Sequence, residues 1–162
     1  MSESSKALED AVQGITEEHA AGRPTSGGWS IAQIVEHVGV SEEQMFFALT
    51  ERFRPVPNPI HDAERENRLR DLILDRGEKM ISPEVSRPAG RFPTLAAALS
   101  HFRQCRARTV QYVEHCKDDQ RRRSVKHPLA GVVSGYEYLL ILASHPSRHA
   151  GQIRELRATM GI

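Results

Sequence analysis

Eight of the 162 residues are histidine and only two are cysteine, so the chemistry open to this sequence rests first on imidazole. His145 and His149 stand four residues apart, a spacing that on a helix places two rings one turn apart on the same face. Projected at about 100° per residue, Tyr138, Leu142, Ile153, Leu156 and Met160 fall within an arc of roughly 60°. The two histidines lie in that arc or just beside it. A lone histidine on an apolar face is usually a satisfied core residue. Two at this spacing are different, because each buried imidazole needs hydrogen-bond partners and the pair repel one another if charged. A shared metal ion removes both difficulties, since neutral imidazole nitrogens are good ligands at about 2.0–2.1 Å. Two ligands leave a site incomplete, and a third is expected from another helix. His37 lies roughly 60° outside the apolar stripe of its own segment. His19 follows, and His101 flanks, the apolar face of theirs, and periodicity does not choose among the three.

Other side chains offer less. Cys105 and Cys116 are eleven apart, which on a helix separates them by about 16 Å along the axis, too far for a disulfide spanning about 7 Å between Cα atoms. No CxxC or Cys/His finger spacing is present, so two buried, inert thiols are expected. The run Arg121-Arg122-Arg123 with Lys126 reads as a solvated loop. With 22 Lys+Arg against 21 Asp+Glu, the chain has no electrostatic footprint for nucleic acid, which favours a small-molecule substrate. Its longest apolar run, Tyr138 to Ala143, is far short of the ~20 residues that span a bilayer. The opening MSESSKALED has no apolar core of a secretory signal, so no membrane association and a cytoplasmic location are expected.

These residues must be positioned by helices. The length predicts one domain over 1–162, large enough to bury about 70% of the surface its unfolded chain exposes. No strand-like alternation and no internal repeat is evident; four stretches carry helical spacing instead. The first runs from about Glu3 to Ala20, with Leu8, Ala11, Val12 and Ile15 on one face. The second opens at a capping box, Ser30 with Gln33, and carries Ile31, Ile34, Val35, Val38, Met45 and Leu49 before ending ahead of Pro55. From Arg54 to Pro93 the chain is proline-rich around a charged, helical patch, Asp62 to Asp75, a length that suits a crossover or functional loop rather than a hairpin. The third helix starts at Thr94. A polar break from Lys117 to Val133 precedes the fourth, which opens at the capping box Ser134 with Glu137 and runs to about Thr159. Four amphipathic helices with one long crossover predict an all-α four-helix bundle.

The segment Gly28-Trp29-Ser30 through His37 resembles the second-helix signature W-[ST]-x-x-x-[IV]-x-x-H of the DinB/YfiT-like metalloenzyme superfamily. His145-x-x-Arg148-His149-x-x-Gln152-Ile153 resembles its fourth-helix signature, H-x-x-R-H-x-x-Q-I. His127-Pro128-Leu129-x-Gly131 is similar to a loop in one branch of that superfamily. The resemblance implies an up-down-down-up bundle, with the crossover between helices two and three, and a metal held by His37, His145 and His149. Pro146 follows the first ligand of helix four. It deletes the bond to the Leu142 carbonyl at a cost of about 3 kcal/mol or more, so a kinked or widened helix with both histidines still converging is expected.

Three neutral nitrogens with no fourth protein ligand form the open, catalytic pattern of metal site. Zinc, nickel and iron all suit it. The resemblance implies a thiol-dependent transferase using a low-molecular-weight thiol on a small electrophile. Metal-dependent hydrolysis is the alternative enzyme reading, although Glu36 projects about 100° from His37 and offers no obvious general base. A non-catalytic, dimeric metal-binding bundle is the alternative of a different class. Gln152, one turn beyond His149, is a candidate support for the ligands. So is Arg148, for which solvent or a structural ion pair is the plainer expectation. A homodimer is implied by resemblance alone.

Overall fold

The computed structural model describes residues 1–25, 27–77, 81–127 and 130–162. Its long helices are α1 (Ser2–Val12), α3 (Ile31–Glu51), α5 (Leu95–His115) and α6 (Gly135–Met160), with shorter helices α2 (Glu17–Ala21) and α4 (Ala63–Leu74). The helix expected from Glu3 to Ala20 is two helices. Gly14 takes a positive φ of 77° between them, a conformation glycine adopts at little cost. Thr16 then caps α2 by accepting from the His19 amide at 3.2 Å.

The other starts follow local chemistry. Ser30 and Gln33 close a capping box on α3, Ser134 and Glu137 close one on α6, and Thr94 caps α5. Each satisfies amides that a helix N-terminus otherwise leaves without a partner. The charged patch in the crossover is helical as expected, capped by Asp62. It does not stand in solvent: α4 packs along α6 and buries Leu69, Ile73 and Glu66.

A small antiparallel sheet overturns the expectation of no strands. Strands β1 (Arg54–Pro55), β2 (Arg123–His127) and β3 (Gly131–Ser134) lie in that order, with Val125 opposite Val133 and Arg54 opposite Ser124. Strands of two to five residues are too short to show an alternating pattern. What fixes them is the cluster of Phe53, Leu49, Ala48, Tyr138 and Val133 beneath. In the motif His127-Pro128-Leu129-x-Gly131, Pro128 and Leu129 lie outside the described residues, while His127 pairs with Gly131 across the hairpin. The basic run is solvated only in part: Arg122 and Lys126 are exposed, but Arg121 and Arg123 are engaged. Arg121 pairs with Glu66 at 3.1 and 3.2 Å and stacks on Tyr136 at 3.6 Å, and Arg123 donates to the Tyr112 hydroxyl.

The main core joins Leu8 and Val12 of α1, Ile31, Ile34, Val35 and Val38 of α3, Phe102 of α5 and Ile153 of α6. In sequence terms, a polar layer falls between this core and the cluster under the sheet. There Arg106 Nη2 meets Glu42 Oε2 at 2.8 Å, both side chains almost fully buried, and Thr109 donates to Glu42 Oε1 at 2.8 Å. Arg106 Nη2 also donates to the Leu142 carbonyl at 3.1 Å. That carbonyl lies four residues before Pro146, which has no N–H to give it. The guanidinium therefore replaces the missing helix bond, and α6 stays helical through Pro146. Among the described residues, no helix is long and apolar enough to cross a membrane. Both cysteines are free; Cys105 is buried and Cys116 half-buried.

Candidate metal centre

The helical face that carries His145 and His149 meets α3 at His37. The three rings form a closed cluster: centroids are 4.5 Å apart for His145–His149, 4.8 Å for His37–His149 and 5.2 Å for His37–His145. One ring nitrogen from each lies within 4.8 Å of the others. The two Nε2 atoms of His145 and His149 are 3.1 Å apart. His19 and His101, the other candidates for the third position, do not join them. His19 sits in α2, and His101 lies on α5 beside Cys105 and Glu43.

His37 explains why periodicity could not place it. It is 5% exposed, yet no neighbouring bundle helix covers it alone. The crossover does so: the carbonyl of Ser86, in a short 3₁₀ turn over Glu84–Ser86, accepts from His37 Nδ1 at 2.8 Å. Ser41 and Ser82 hydroxyls approach the same nitrogen at 3.4 Å, and Trp29 packs against the ring at 4.9 Å. The turn is held in turn by Glu36. Its carboxylate accepts from the amides of Ala89, Gly90 and Arg91 at 2.8, 3.1 and 3.2 Å, and from Arg91 Nη1 at 3.0 Å. Burial pushes this carboxyl up, but those amides and the guanidinium outweigh it and hold it below the ordinary carboxylate value. Glu36 is thus committed to the loop, in keeping with its expected projection away from the histidines. Ser86 acts through a main-chain carbonyl, which leaves no mark on a sequence; Ser41, one turn after His37, was visible at helical spacing.

On α6, Gln152 Oε1 accepts from His149 Nδ1 at 2.8 Å. Arg148 departs from expectation. It is buried and reaches the Ile73 carbonyl at 3.2 Å, satisfying one of the last carbonyls of α4, which the helix itself leaves without a donor. Arg76, just past α4, pairs with Glu155 at 2.5 and 2.8 Å and lies against Gly151, where a Cβ would sit 3.2 Å from its Cδ. The chain from Ile73 to Arg76 is thereby clamped across the turn of α6 that carries His149.

The donor chemistry fits a cation. Since Ser86 O and Gln152 Oε1 can only accept, His37 and His149 carry their protons on Nδ1 and present bare lone pairs on Nε2. Burial holds all three imidazoles in the neutral form: His37 is lowered, His145 lies well below its ordinary value, and His149 is pushed down to about 3. His145 is half-buried as a residue, but its Nδ1 is fully shielded and has no hydrogen-bond partner. Neutral nitrogens with lone pairs free to donate are what a divalent ion would coordinate. The 3.1 Å Nε2–Nε2 separation also lies near the ~3.3 Å that two nitrogens bonded at about 2.0–2.1 Å to one tetrahedral ion would show. His37, His145 and His149 can therefore hold a metal.

Known proteins agree with this architecture. The chain is similar to YfiT from Bacillus subtilis, whose solved structure is described as a probable metal-dependent hydrolase with an unusual four-helix bundle topology. The two share 20% identity with a TM-score of 0.61, over 98% of this chain and 82% of that one. It is also similar to the uncharacterized protein YuaE of Bacillus subtilis (strain 168), 20% identical over 146 residues, which are 90% of this chain and 88% of YuaE. The family model of the DinB superfamily matches residues 1–153, nearly the full length that folds around the three histidines, and the chain belongs to that superfamily.

Proposed function

We propose that this protein is a metal-dependent enzyme in which His37, His145 and His149 hold one divalent transition metal, zinc, nickel or iron, with a position open to a small-molecule substrate. The observation that carries the reading is the convergence of three neutral imidazoles from α3 and α6 with no carboxylate among them. A metal there would act as a Lewis acid and lower the pKa of a thiol or water at its open position. The chain's own residues set the rest. Ser86 and Gln152 orient two of the rings and fix their tautomers. Glu36 keeps the covering turn in place, and Arg148 with Arg76 holds the other wall.

Of the two chemistries, transfer of a low-molecular-weight thiol to a small electrophile is the first reading. A metal held by the three histidines would supply the lowered thiol pKa, with the proton passing to solvent, so this chemistry would need no separate protein base. Glu36, the acid nearest His37 in sequence, is tied up by three amides and Arg91. Hydrolysis is the second reading, favoured by the likeness to YfiT. We take the protein to be a single-domain bundle running up-down-down-up, as the long crossover between α3 and α5 permits, and to work as a homodimer in the cytoplasm.

Elemental analysis of natively purified protein tests the foundation. One transition metal per cluster is expected in the wild type, with loss from His149→Ala. A wild type without metal, and a His149→Ala variant unchanged in metal content and stability, would remove the basis for an enzyme. Panels of thiol-plus-electrophile pairs and of activated esters then separate the two reactions.

A further inference from the structure

A second group of side chains converges away from the three histidines. It joins Glu43 on α3 with His101 and Cys105 on α5. His101 Nε2 lies 3.5 Å from Cys105 Sγ and 3.7 Å from Glu43 Oε2, and the three donor atoms are all within 4.8 Å of one another. Nε2 is the ring nitrogen nearer the thiol, with Nδ1 at 4.0 Å from Sγ, and it also meets the carboxylate. A nucleophilic relay would need the thiol and the acid on opposite nitrogens. Here both lie nearest the same nitrogen, and the three donor atoms share one space instead. Tetrahedral zinc, with Zn–S near 2.3 Å and Zn–N and Zn–O near 2.0–2.2 Å, would set sulfur and nitrogen about 3.6 Å apart and nitrogen and oxygen about 3.4 Å apart. α3 and α5 already hold the atoms close to those separations.

His101 is fitted into this position. A Cβ on Gly39, one turn before Glu43, would sit 3.0 Å from His101 Cδ2, so the glycine lets the ring lie against α3. Phe92 packs on the ring at 4.9 Å and an interplanar angle of 33°. Cys105 follows His101 at the i,i+4 spacing that aligns side chains on one helix face. The thiol is buried, while the Glu43 side chain is 44% exposed and gives a cation a route in. Burial pushes the Cys105 thiol up, and Arg108 Nη2, 3.4 Å from Sγ, offsets part of that rise.

We propose that Glu43, His101 and Cys105 form a second metal site, selective for a thiophilic divalent cation of the zinc type, which ties α3 to α5. Binding replaces the S–H bond by a metal–sulfur bond and releases the proton to solvent, with no change of oxidation state. The sulfur donor distinguishes its metal preference from that of the all-nitrogen cluster.

Cobalt(II) titration of the metal-free full chain tests this independently of the first site. Thiolate-to-cobalt charge transfer absorbs in the near ultraviolet, and the three-histidine cluster contains no sulfur. The band is expected to grow to one thiolate-bound cobalt per chain, to vanish in Cys105→Ser, and to persist in both Cys116→Ser and His149→Ala. Glu43→Gln, at an exposed side chain that folding tolerates, is expected to weaken cobalt binding at this band at least ~10-fold. No sulfur band at saturating cobalt, a band that survives Cys105→Ser, one that is lost in Cys116→Ser or His149→Ala, or one unmoved by Glu43→Gln would each overturn the proposal.

Discussion

Glu36→Gln isolates the contribution of the crossover to the histidine cluster. In the wild type Oε1 accepts from the Ala89 and Arg91 amides and from Arg91 Nη1, while Oε2 accepts from the Gly90 amide. An amide oxygen at the first position keeps three donors but loses the charge that strengthens them, and the new NH₂ then confronts the Gly90 N–H. A hydrogen bond to a charged group contributes about 1.5–3 kcal/mol. Ala89 and Gly90 are exposed enough for water to replace part of this, so a net loss of about 2 kcal/mol is expected. Because the folded-state carboxyl sits below its ordinary value of 4.5, its contribution is complete above that pH. It is lost as pH falls through the folded-state value. Urea unfolding of both proteins at pH 7 and at successively lower pH should therefore show a gap that closes in acid. Loosening the turn also removes the Ser86 carbonyl from His37, and losing such an orienting partner weakens metal binding about 10–100-fold, measurable by chelator competition. Equal stability and equal metal affinity at pH 7, or a stability gap undiminished in acid, would refute the reasoning.

Metal-free protein should be fully stable above about pH 6.5 and lose stability as pH falls toward 3, the window between the ordinary histidine value and that of His149. The unfolded chain binds more protons there, and His149→Ala should flatten the slope by one proton's share in urea midpoints against pH. Arg106→Met leaves the Glu42 carboxylate buried without its partner and should cost about 3–5 kcal/mol, with Glu42→Gln/Arg106→Met recovering much of it. Pro146→Ala restores a donor for the Leu142 carbonyl, so Arg106→Met should cost about 0.5–1.5 kcal/mol less in that background, read from a double-mutant cycle.

Local order was legible from the chain wherever side chains bond to their own backbone. The caps at Ser30, Thr94 and Ser134 start helices where the residues say they should, and the i,i+4 pair His145 and His149 falls on the inward face of α6. The apolar spacing of the first segment continues through Ile15 and predicts one helix, while Gly14 and the Thr16 cap divide it into two. Strands of two to five residues carry no period a sequence can show; they pair backbone to backbone over the cluster of Phe53 and Tyr138.

The sequence by itself determined the capped starts of the long helices α3, α5 and α6 and the pairing of two imidazoles on the last of them, since both follow from interactions within a few residues. Tertiary structure alone decided the rest. His37 becomes a buried partner because a turn some fifty residues later places the Ser86 carbonyl to accept from its Nδ1 and roofs its ring, and no helical projection contains a residue so distant. Pro146 is tolerated because Arg106 of another helix supplies the bond it lacks. Arg148 turns inward because α4 ends beside it with a carbonyl to satisfy. Each is a polar group whose partner lies far along the chain, and only packing brings the two together.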